Sequence, residues 1–280
     1  MYQCPNPQDH APVAAIHVRK LNGASQASLV ATEDGTLYVI KCLEFVGQFG
    51  LISEVIGSEL MAEMGLPVPH WEPILLTEDF IRRNPKLWYR NRPDSKGTRS
   101  EDGLAFGTRL TTSRGRNLTY EILPSSWIER IVNRDDFVGA LLFDLWANNC
   151  DCRQCVFLTD DYAKALRAVF IDNDHLFGGY FANEKTCPRR AMVPISDIYR
   201  GVWNEESVSR WQKKIDQIDD MFINHVLAKI PLEWAGSPAL TFVTTELSLR
   251  RAKLHFLIDE FEDVLANGRF PSAQVLRRCV

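Results

Sequence analysis

The sequence lacks a long hydrophobic run near its start. Residues 1–9 are polar and contain proline, so they do not form the apolar segment of a signal peptide or a membrane span. We therefore expect a cytoplasmic protein that has no membrane as a partner. A large excess of charge of one sign is also absent, because the formal net charge is only −4 over 280 residues. Such a balance gives no overall attraction to nucleic acid, and nothing in the composition indicates an oligomeric state.

A disulfide framework is missing as well. The seven cysteines are an odd number scattered along the whole chain, whereas disulfide-stapled domains are short and carry even sets. The paired CxxC motifs of ordinary zinc sites are absent. Cys150, Cys152 and Cys155 could supply four thiolates together with Cys187, but free thiols are the expected state.

Internal repeats and low-complexity segments are absent too. With 45% hydrophobic residues, the chain has enough apolar side chains for one large core or two smaller ones. Short β-prone runs dominate the first part of the chain, and helical patterns dominate the last part. This order predicts an α+β fold rather than a doubly wound sheet.

Residues 143–177 combine polar loops with apolar runs in a way that is typical of an active site. A predicted buried helix gives way to a polar loop that contains Asp151. Two β-prone runs, over 156–158 and 168–171, then predict a hairpin whose second strand ends at Asp172. The two aspartates would face one cleft, although a surface loop beside an unrelated hairpin is the alternative.

Phosphoryl transfer requires two such carboxylates, one to orient the attacking hydroxyl group and one to hold Mg²⁺ against nucleotide phosphates. Here the chain resembles the HipA-like kinase family, whose catalytic loop runs Asn-x-Asp and is followed by a hairpin and an Ile-Asp-His-like turn. The matching residues are Asn149-Cys-Asp151 and Ile171-Asp-Asn-Asp-His175. Ser53-Glu54 and the later Gly65-Leu-Pro-Val-Pro69 are similar to a helix of this family and to its closing sequence.

The resemblance implies a two-lobed, protein-kinase-like architecture, with a mostly antiparallel nucleotide-binding lobe over 1–106 and a helical catalytic lobe over 107–280. It implies ATP and Mg²⁺ as cofactors. The substrate would be a hydroxyl group of a protein or of a small molecule, with Ser/Thr proteins as the leading class. Residues 103–110 fall where the hinge between the lobes would contact adenine.

The resemblance also assigns roles to residues of the catalytic lobe. Asp151 is the expected catalytic base, and Asn149 and Gln154 are its expected neighbours in the catalytic loop. Asp172 and Asp174 are the expected metal ligands, because carboxylate oxygens are the ligands that Mg²⁺ prefers.

In the nucleotide-binding lobe, Lys41 ends a predicted strand in the manner of the nucleotide-binding lysine of kinases. Glu54, near the start of the next helix, is its expected partner, since an ion pair would extend the lysine toward the phosphates. The turn expected to contact the phosphates through backbone N–H groups contains Gly23, Ala24 and Ser25. A plain tight turn is the alternative for these three residues.

The helix that carries Glu54 is predicted over 51–64 from its apolar spacing. Ser53 is early enough to cap it, and the glycine and prolines of residues 65–69 would end it. Glu59 and Glu63 are expected to be solvated charges on the same helix.

One position departs from the kinase pattern. The asparagine expected five residues after Asp151, which would hold a second Mg²⁺, is replaced by Val156. Gln154, three residues after Asp151, could reach the metal or the nucleotide instead, but its amide oxygen is a weaker ligand than a carboxylate. Either Asp172 and Asp174 compensate for the missing ligand, or the protein is a pseudokinase that acts as a silent nucleotide-binding or protein-interaction module.

The cysteines around Asp151 suggest another alternative. Oxidation or metal binding at Cys150, Cys152 and Cys155 would distort the catalytic loop, and Arg153 is the adjacent cation that would favour their thiolates.

Two basic segments are expected at the surface. Residues 79–103 have the composition of an insertion or mobile loop. Residues 186–190 fall at the position of a kinase activation segment, where a peptide substrate or a regulatory phosphate could dock. A solvated loop is the alternative in both cases.

Overall fold

The computed structural model of the chain describes residues 10–21, 26–89, 97–110, 118–159, 165–179 and 196–266. Its strands are β1 (Ala14–Lys20), β2 (Ser28–Thr32), β3 (Leu37–Lys41), β4 (Trp71–Leu76), β5 (Trp88–Tyr89), β6 (Thr98–Arg99), β7 (Gly103–Arg109), β8 (Leu118–Tyr120), β9 (Gln154–Thr159) and β10 (Arg167–Ile171). Its α-helices are α1 (Leu43–Glu63), α2 (Glu78–Arg83), α3 (Asp136–Trp146), α4 (Glu205–Gln217), α5 (Asp220–Leu227), α6 (Ser237–Ala252) and α7 (Leu254–Ala266). Short 3₁₀ helices span Ser125–Arg130 and Ser196–Tyr199.

The N-terminal sheet has the strand order β1-β2-β3-β7-β4, and its neighbouring strands are antiparallel. The turn between β2 and β3 contains Gly35 with a φ of 81°, a left-handed conformation that glycine adopts at little cost. β3 lies in the middle of the sheet, and its last residue, Lys41, pairs with Phe106 of β7. The sheet therefore presents Lys41 beside the start of α1.

The helix that carries Glu54 starts earlier than predicted. It begins at Leu43 and is interrupted at Gly47, whose φ of 69° and ψ of 171° are not helical. Ser53 is fully buried in the helix interior, so its predicted capping role is wrong. At the other end, Gly65 has a φ of 80°, and the N–H of Leu66 donates to the carbonyl of Met61 at 2.9 Å. The predicted helix end is thus confirmed.

Helix α1 packs against both the C-terminal helices and the sheet. Its buried side chains share one hydrophobic core with α3–α7, to which the sheet contributes Leu104 and Phe106. A second core lies among the strands and α2. Lys214 of α4 donates to the carbonyl of Met64 at 2.7 Å. Helix α1 is therefore in contact with both the helical region and the sheet.

Glu59 is held by contacts rather than solvated as predicted. It forms an ion pair with Lys229 at 2.7 Å and accepts a hydrogen bond from the indole N–H of Trp71 at 2.7 Å. Glu63 is exposed, as expected.

The predicted insertion over 79–103 is partly regular structure. It contains most of α2 and the antiparallel pair formed by β5 and β6. Arg82 and Arg83 of α2 both pair with Asp79. Residues 90–96 lie outside the described residues.

β7 lies between β3 and β4 and continues to Arg109, so a lobe boundary at 106/107 falls within this strand. Two residues that follow α5 form hydrogen bonds with the backbone of β7. Glu233 accepts a hydrogen bond from the N–H of Leu104 at 2.7 Å, and the indole of Trp234 donates to the carbonyl of Leu104 at 3.3 Å.

The C-terminal region contains the predicted buried helix and hairpin. α3 is buried throughout from Phe137 onward, and Arg250 of α6 donates to the carbonyl groups of Leu145 and Trp146 at the end of α3. β9 and β10 form the hairpin, with β8 on the outer side of β9. The loops before and after this hairpin contain the predicted aspartates.

Candidate active site

Lys41 lies at the centre of a buried cluster of carboxylates. Its ammonium group donates to the carboxylates of Glu54 and Asp172, and to Asp174 at 2.9 Å. Only 8% of Lys41 is exposed to solvent. The predicted pairing of Lys41 with Glu54 is therefore present, and two further carboxylates share the same cation.

The cluster holds more negative than positive charge. Burial alone would lower the pKa of Lys41, but the three carboxylates outweigh it and raise this pKa well above its usual value. Burial raises the pKa of Glu54 to about 7, against the opposing effect of Lys41 and with the help of Asp174 and Asp172. Burial also raises the pKa of Asp174. For Asp172, the neighbouring Lys41 outweighs the effect of burial and lowers the pKa.

The same carboxylates fit a divalent cation. Glu54, Asp172 and Asp174 each offer an oxygen atom, and these three atoms lie within 4.8 Å of one another. Hard cations such as Mg²⁺ and Mn²⁺ prefer oxygen ligands of this kind. The predicted ligands Asp172 and Asp174 are thus brought together, and Glu54 joins them as a third candidate.

Residues 172–177, here called the Asp172 loop, have an unusual backbone. Asp172 and Phe177 have φ values of 70° and 59°, which L-residues with side chains adopt infrequently. Asn173 packs against Gly57 of α1 so closely that a Cβ atom on the glycine would lie 2.5 Å from the Asn173 side chain. The loop is therefore fitted directly against the helix that carries Glu54.

Residues 148–153, here called the Asp151 loop, lie against the Asp172 loop. Three backbone hydrogen bonds join the two loops or the residues directly beside them: Cys150 N–H to the His175 carbonyl at 3.1 Å, Phe177 N–H to the Ala147 carbonyl at 2.8 Å and Gly178 N–H to the Asn148 carbonyl at 2.9 Å. The two predicted aspartates consequently belong to loops that touch, as the sequence analysis expected.

Asn149 shapes the loop around Asp151. Its side-chain amide donates to Asp144 at 3.0 Å, and its side-chain oxygen accepts the N–H of Asp151 at 3.1 Å. Asp151 is half-buried, and its carboxylate accepts the N–H of Cys152 at 2.7 Å. Asn149 thus holds the backbone of Asp151 and leaves part of the Asp151 side chain accessible.

A buried ion pair that sequence reasoning missed connects the two loops. The side chains of Arg153 and Asp144 are 1% and 0% exposed, and Arg153 Nε donates to Asp144 at 2.9 Å. Arg153 Nη1 donates to the carbonyl groups of Ile171 and Asp172, each at 3.1 Å, and to the side chain of Asn173 at 2.9 Å. An aspartate within a predicted buried helix was the available signal, because a buried charge needs a partner.

The remaining predicted side chains of this region lie on the hairpin. Gln154 is exposed at the start of β9, opposite Ile171 of β10. Val156 pairs with Val169 further along the same two strands. The valine offers no oxygen, so the position expected to hold a second metal ion has no side-chain ligand.

The cysteines do not have the environment that the redox alternative expected. Arg153 is committed to Asp144 and to the Asp172 loop, and its charge opposes the effect of burial on the pKa of Cys155 without outweighing it. Burial raises the pKa of Cys155 to about 12, which disfavours its thiolate. Cys150 and Cys152 are half-buried, and the thiol of Cys150 donates to the carbonyl of His175 at 3.3 Å.

His175 belongs to the Asp172 loop and contacts Cys150 of the Asp151 loop. A hydrogen bond with Cys150 and the charges of Asp174 and Asp151 raise its pKa to about 9 despite partial burial. The imidazole is therefore cationic at neutral pH, and its Nε2 atom lies 3.6 Å from a carboxylate oxygen of Asp174.

Several predictions fall outside the described residues. They concern Gly23, Ala24 and Ser25 of the expected phosphate-contacting turn, Cys187 as a fourth thiolate, and residues 186–190 of the expected activation segment. None of the helices within the described ranges combines the length and apolarity needed to cross a membrane.

The fold is that of protein kinases. The chain is similar to the crystal structure of a Helicobacter pylori proinflammatory kinase, CtkA, with a TM-score of 0.52 and 13% identity over 89% of this chain and 99% of that one. The Golgi casein kinase gives a TM-score of 0.55 at 10% identity, over 90% and 76% of the two chains. A structure of that kinase with Mn/ADP bound gives 0.52 and 10%, over 88% and 74%.

A family model described as HipA-like kinase matches residues 13–260. The chain therefore belongs to the HipA-like kinase family, which confirms the predicted resemblance and the predicted α+β kinase-like fold. No curated protein sequence matches the chain significantly.

Proposed function

We propose that this protein transfers the γ-phosphoryl group of ATP to a hydroxyl group, with a serine or threonine side chain of a protein as the leading substrate class. The observation that carries the proposal is the position of Lys41 between Glu54 of α1 and Asp172 of the Asp172 loop. In protein kinases, phosphoryl transfer uses a lysine held in this way together with a carboxylate that binds the metal. The kinase fold and the family support the same reaction class.

Each residue has a proposed task. Lys41, oriented by Glu54, binds the nucleotide phosphates. Asp151 orients the substrate hydroxyl group and accepts its proton while the oxygen bonds to the γ-phosphorus and ADP leaves with the electrons of the broken P–O bond. Asp172 and Asp174 would hold Mg²⁺, which supplies positive charge to the phosphate oxygens when it is bound.

The proposal is tested with γ-labelled ATP, Mg²⁺ and either the protein alone or cell extract. Wild type is expected to transfer label to protein, and Asp151→Ala is expected to lose at least about a hundredfold in rate, as positioned bases contribute that much. Equal transfer by the two proteins would contradict the catalytic role of Asp151. Acid hydrolysis of labelled products, followed by separation of phosphoserine and phosphothreonine, identifies the substrate class.

A catalytically silent nucleotide-binding module is the second candidate. It is favoured by Val156, which occupies the position of a metal-binding asparagine within a regular strand pair. The protein would then bind ATP and Mg²⁺ through Lys41 and the carboxylates without turning the nucleotide over.

Thermal unfolding separates the two candidates. A ligand at about 100 times its Kd adds roughly 2.7 kcal/mol to the unfolding free energy, so ATP with Mg²⁺ should raise the melting temperature in both cases. Stabilisation without label transfer would favour the silent module. Absence of stabilisation by ATP, ADP or GTP with either Mg²⁺ or Mn²⁺ would contradict both.

A further inference from the structure

The Asp151 loop and the Asp172 loop meet at one guanidinium group. Arg153 is the last residue of the Asp151 loop, two residues after Asp151, and its Nη1 reaches acceptors on three consecutive residues, Ile171, Asp172 and Asn173. A displacement of Arg153 would therefore act on the proposed base through the chain and on the proposed metal ligand through hydrogen bonds.

Asp144, the partner of Arg153, links the guanidinium group to Asn149. Asp144 accepts from Arg153 Nε and from Nη2, and it also accepts from the amide of Asn149. Asn149 in turn accepts the N–H of Asp151. The pair therefore holds Asp151 from one side and Asp172 from the other.

The backbone of Asp172 needs this support. Its φ of 70° places a residue with a side chain in the left-handed region, and such conformations persist only where the surroundings fix them. The carbonyl of Asp172 and the carbonyl before it both accept from Arg153. The hydrogen bonds thus clamp the peptide groups on both sides of the Asp172 Cα atom.

Lysine could not make the same set of contacts. Arg153 uses Nε and Nη2 on one carboxylate while Nη1 points the other way to the Asp172 loop, which requires the planar fork of a guanidinium group. A lysine ammonium could replace the charge beside Asp144 but not both sets of directions at once.

We propose that Arg153 is a positioning residue that, paired with Asp144, fixes the proposed metal ligand Asp172 relative to the proposed base Asp151. The inference rests on the proposed function for the meaning of those two roles. Because the Arg153 side chain is only 1% exposed, we assign it no contact with substrate or phosphate. Its contribution is to align two carboxylates that lie on different loops.

The test replaces both members of the pair, because removal of one alone leaves a buried unpaired charge. Arg153→Met with Asp144→Leu substitutes apolar groups of similar size, an exchange that is often neutral for folding. The matched control is Arg251→Met with Asp220→Leu, another arginine–aspartate pair, at 2.8 Å on α6 and α5 and away from both loops.

The main measurement is the affinity for ADP with and without Mn²⁺, determined by calorimetry alongside thermal unfolding. In the Arg153/Asp144 double variant, we expect the gain in ADP affinity caused by Mn²⁺ to fall by about 10–100-fold, the usual effect of removing groups that orient metal ligands. Folding and metal-free ADP affinity should stay close to wild type. The Arg251/Asp220 control should keep the wild-type gain.

Arg153→Lys keeps the charge beside Asp144 and provides the second arm. We expect it to fold and to lose at least about threefold of the Mn²⁺-dependent gain, because the hydrogen bonds to the Asp172 loop are lost. The proposal would be overturned if the folded double variant kept the full wild-type gain. If the double variant does not fold, the same result for Arg153→Lys would overturn it. Wild type that binds Mn²⁺ and ADP but transfers no phosphate would refute the proposed function alone, since the affinity comparison still decides on Arg153.

Discussion

The structure buries two groups of opposite charges side by side, and they are balanced differently. In one, Arg153 meets a single carboxylate, Asp144, and its remaining donors reach carbonyl and amide oxygens of the Asp172 loop. In the other, Lys41 is one cation among three carboxylates, those of Glu54, Asp172 and Asp174. The first group is neutral and its hydrogen bonds are satisfied within the protein, so we call Arg153 and Asp144 the closed pair. The second group has more carboxylates than cations, so we call Lys41, Glu54, Asp172 and Asp174 the open cluster.

Because both groups are buried, the difference in their charge balance affects the stability of the protein. A buried charge without compensation is costly, and a buried pair contributes little net stability unless its remaining hydrogen bonds are satisfied. The Arg153 pair meets that condition within the protein. Even with the cationic His175 at 3.6 Å from Asp174, the Lys41 cluster has one carboxylate more than it has cations, so the first group is suited to a permanent role in the fold and the second to binding.

The largest expected effect is on the closed pair. Asp144→Ala leaves the Arg153 guanidinium buried without its carboxylate, which should cost about 3–5 kcal/mol of unfolding free energy. Urea denaturation at neutral pH measures the loss. Asp220→Ala, which removes the 64%-exposed partner of Arg251, should cost less than about 1 kcal/mol. Equal losses in the two variants would remove the distinction between a closed buried pair and an exposed one.

The open cluster should make stability depend on pH. The pKa of Glu54 is about 7 in the folded protein, compared with 4.5 as its ordinary value. Between these two values the folded state binds more protons than the unfolded state, so stability present below pH 4.5 is lost as the pH rises through 7. The contribution is on the order of 3 kcal/mol, at about 1.4 kcal/mol for each pKa unit.

Glu54→Gln should flatten this dependence. Urea unfolding from pH 5 to 8, without metal or nucleotide, is the measurement, and Glu63→Gln is the control that should keep the wild-type slope. Parallel curves for wild type and Glu54→Gln would show that the extra proton is not bound at Glu54.

Replacement of Lys41 should turn the open cluster into a better metal site. Lys41→Met should weaken ATP binding or abolish transfer, and because Lys41 is buried it should also leave three carboxylates without their cation. Mn²⁺ alone, without nucleotide, should therefore bind Lys41→Met about tenfold more tightly than wild type, a difference of about 1.4 kcal/mol. Melting temperatures across a Mn²⁺ titration test this expectation. Equal stabilisation of both proteins would mean that Lys41 does not compete with the metal.

The smallest effects are expected on the outer face of α1. Glu59→Gln weakens the ion pair with Lys229 and should cost at most about 1 kcal/mol, whereas Glu63→Gln should stay within about 0.5 kcal/mol of wild type. Thermal unfolding of both variants, in the same buffer as wild type, orders them. A larger cost at Glu63 than at Glu59 would reverse the ranking.

Local patterns predicted much of the framework. The strand that ends at Lys41, the hairpin before Asp172 and the end of α1 at Gly65 depend on nearby residues, so alternation, turn residues and prolines were sufficient. The start of α1 was not predictable in this way, because Gly47 reads as a link between elements although the helix continues past it.

The missed contacts depend on the three-dimensional path of the chain rather than on a local sequence pattern. Lys229, which pairs with Glu59, lies 170 residues away, and no local pattern indicates such a partner. Asp144 was counted within an apolar helix and Arg153 as a loop cation, since their pairing depends on how the Asp151 loop turns back on α3. Proposed roles based on short motifs, such as those of Asp151 and Gln154, remain predictions.

The division of the hydrophobic cores has a consequence for how the cluster around Lys41 assembles. Lys41 belongs to the sheet, whereas its three carboxylates belong to α1 and to the Asp172 loop, which are packed together through Gly57 and Asn173. A rotation of the sheet relative to α1 and the Asp172 loop would therefore break or restore all three ion pairs in the same step. The electrostatic state of the cluster would then follow the angle between the sheet and α1.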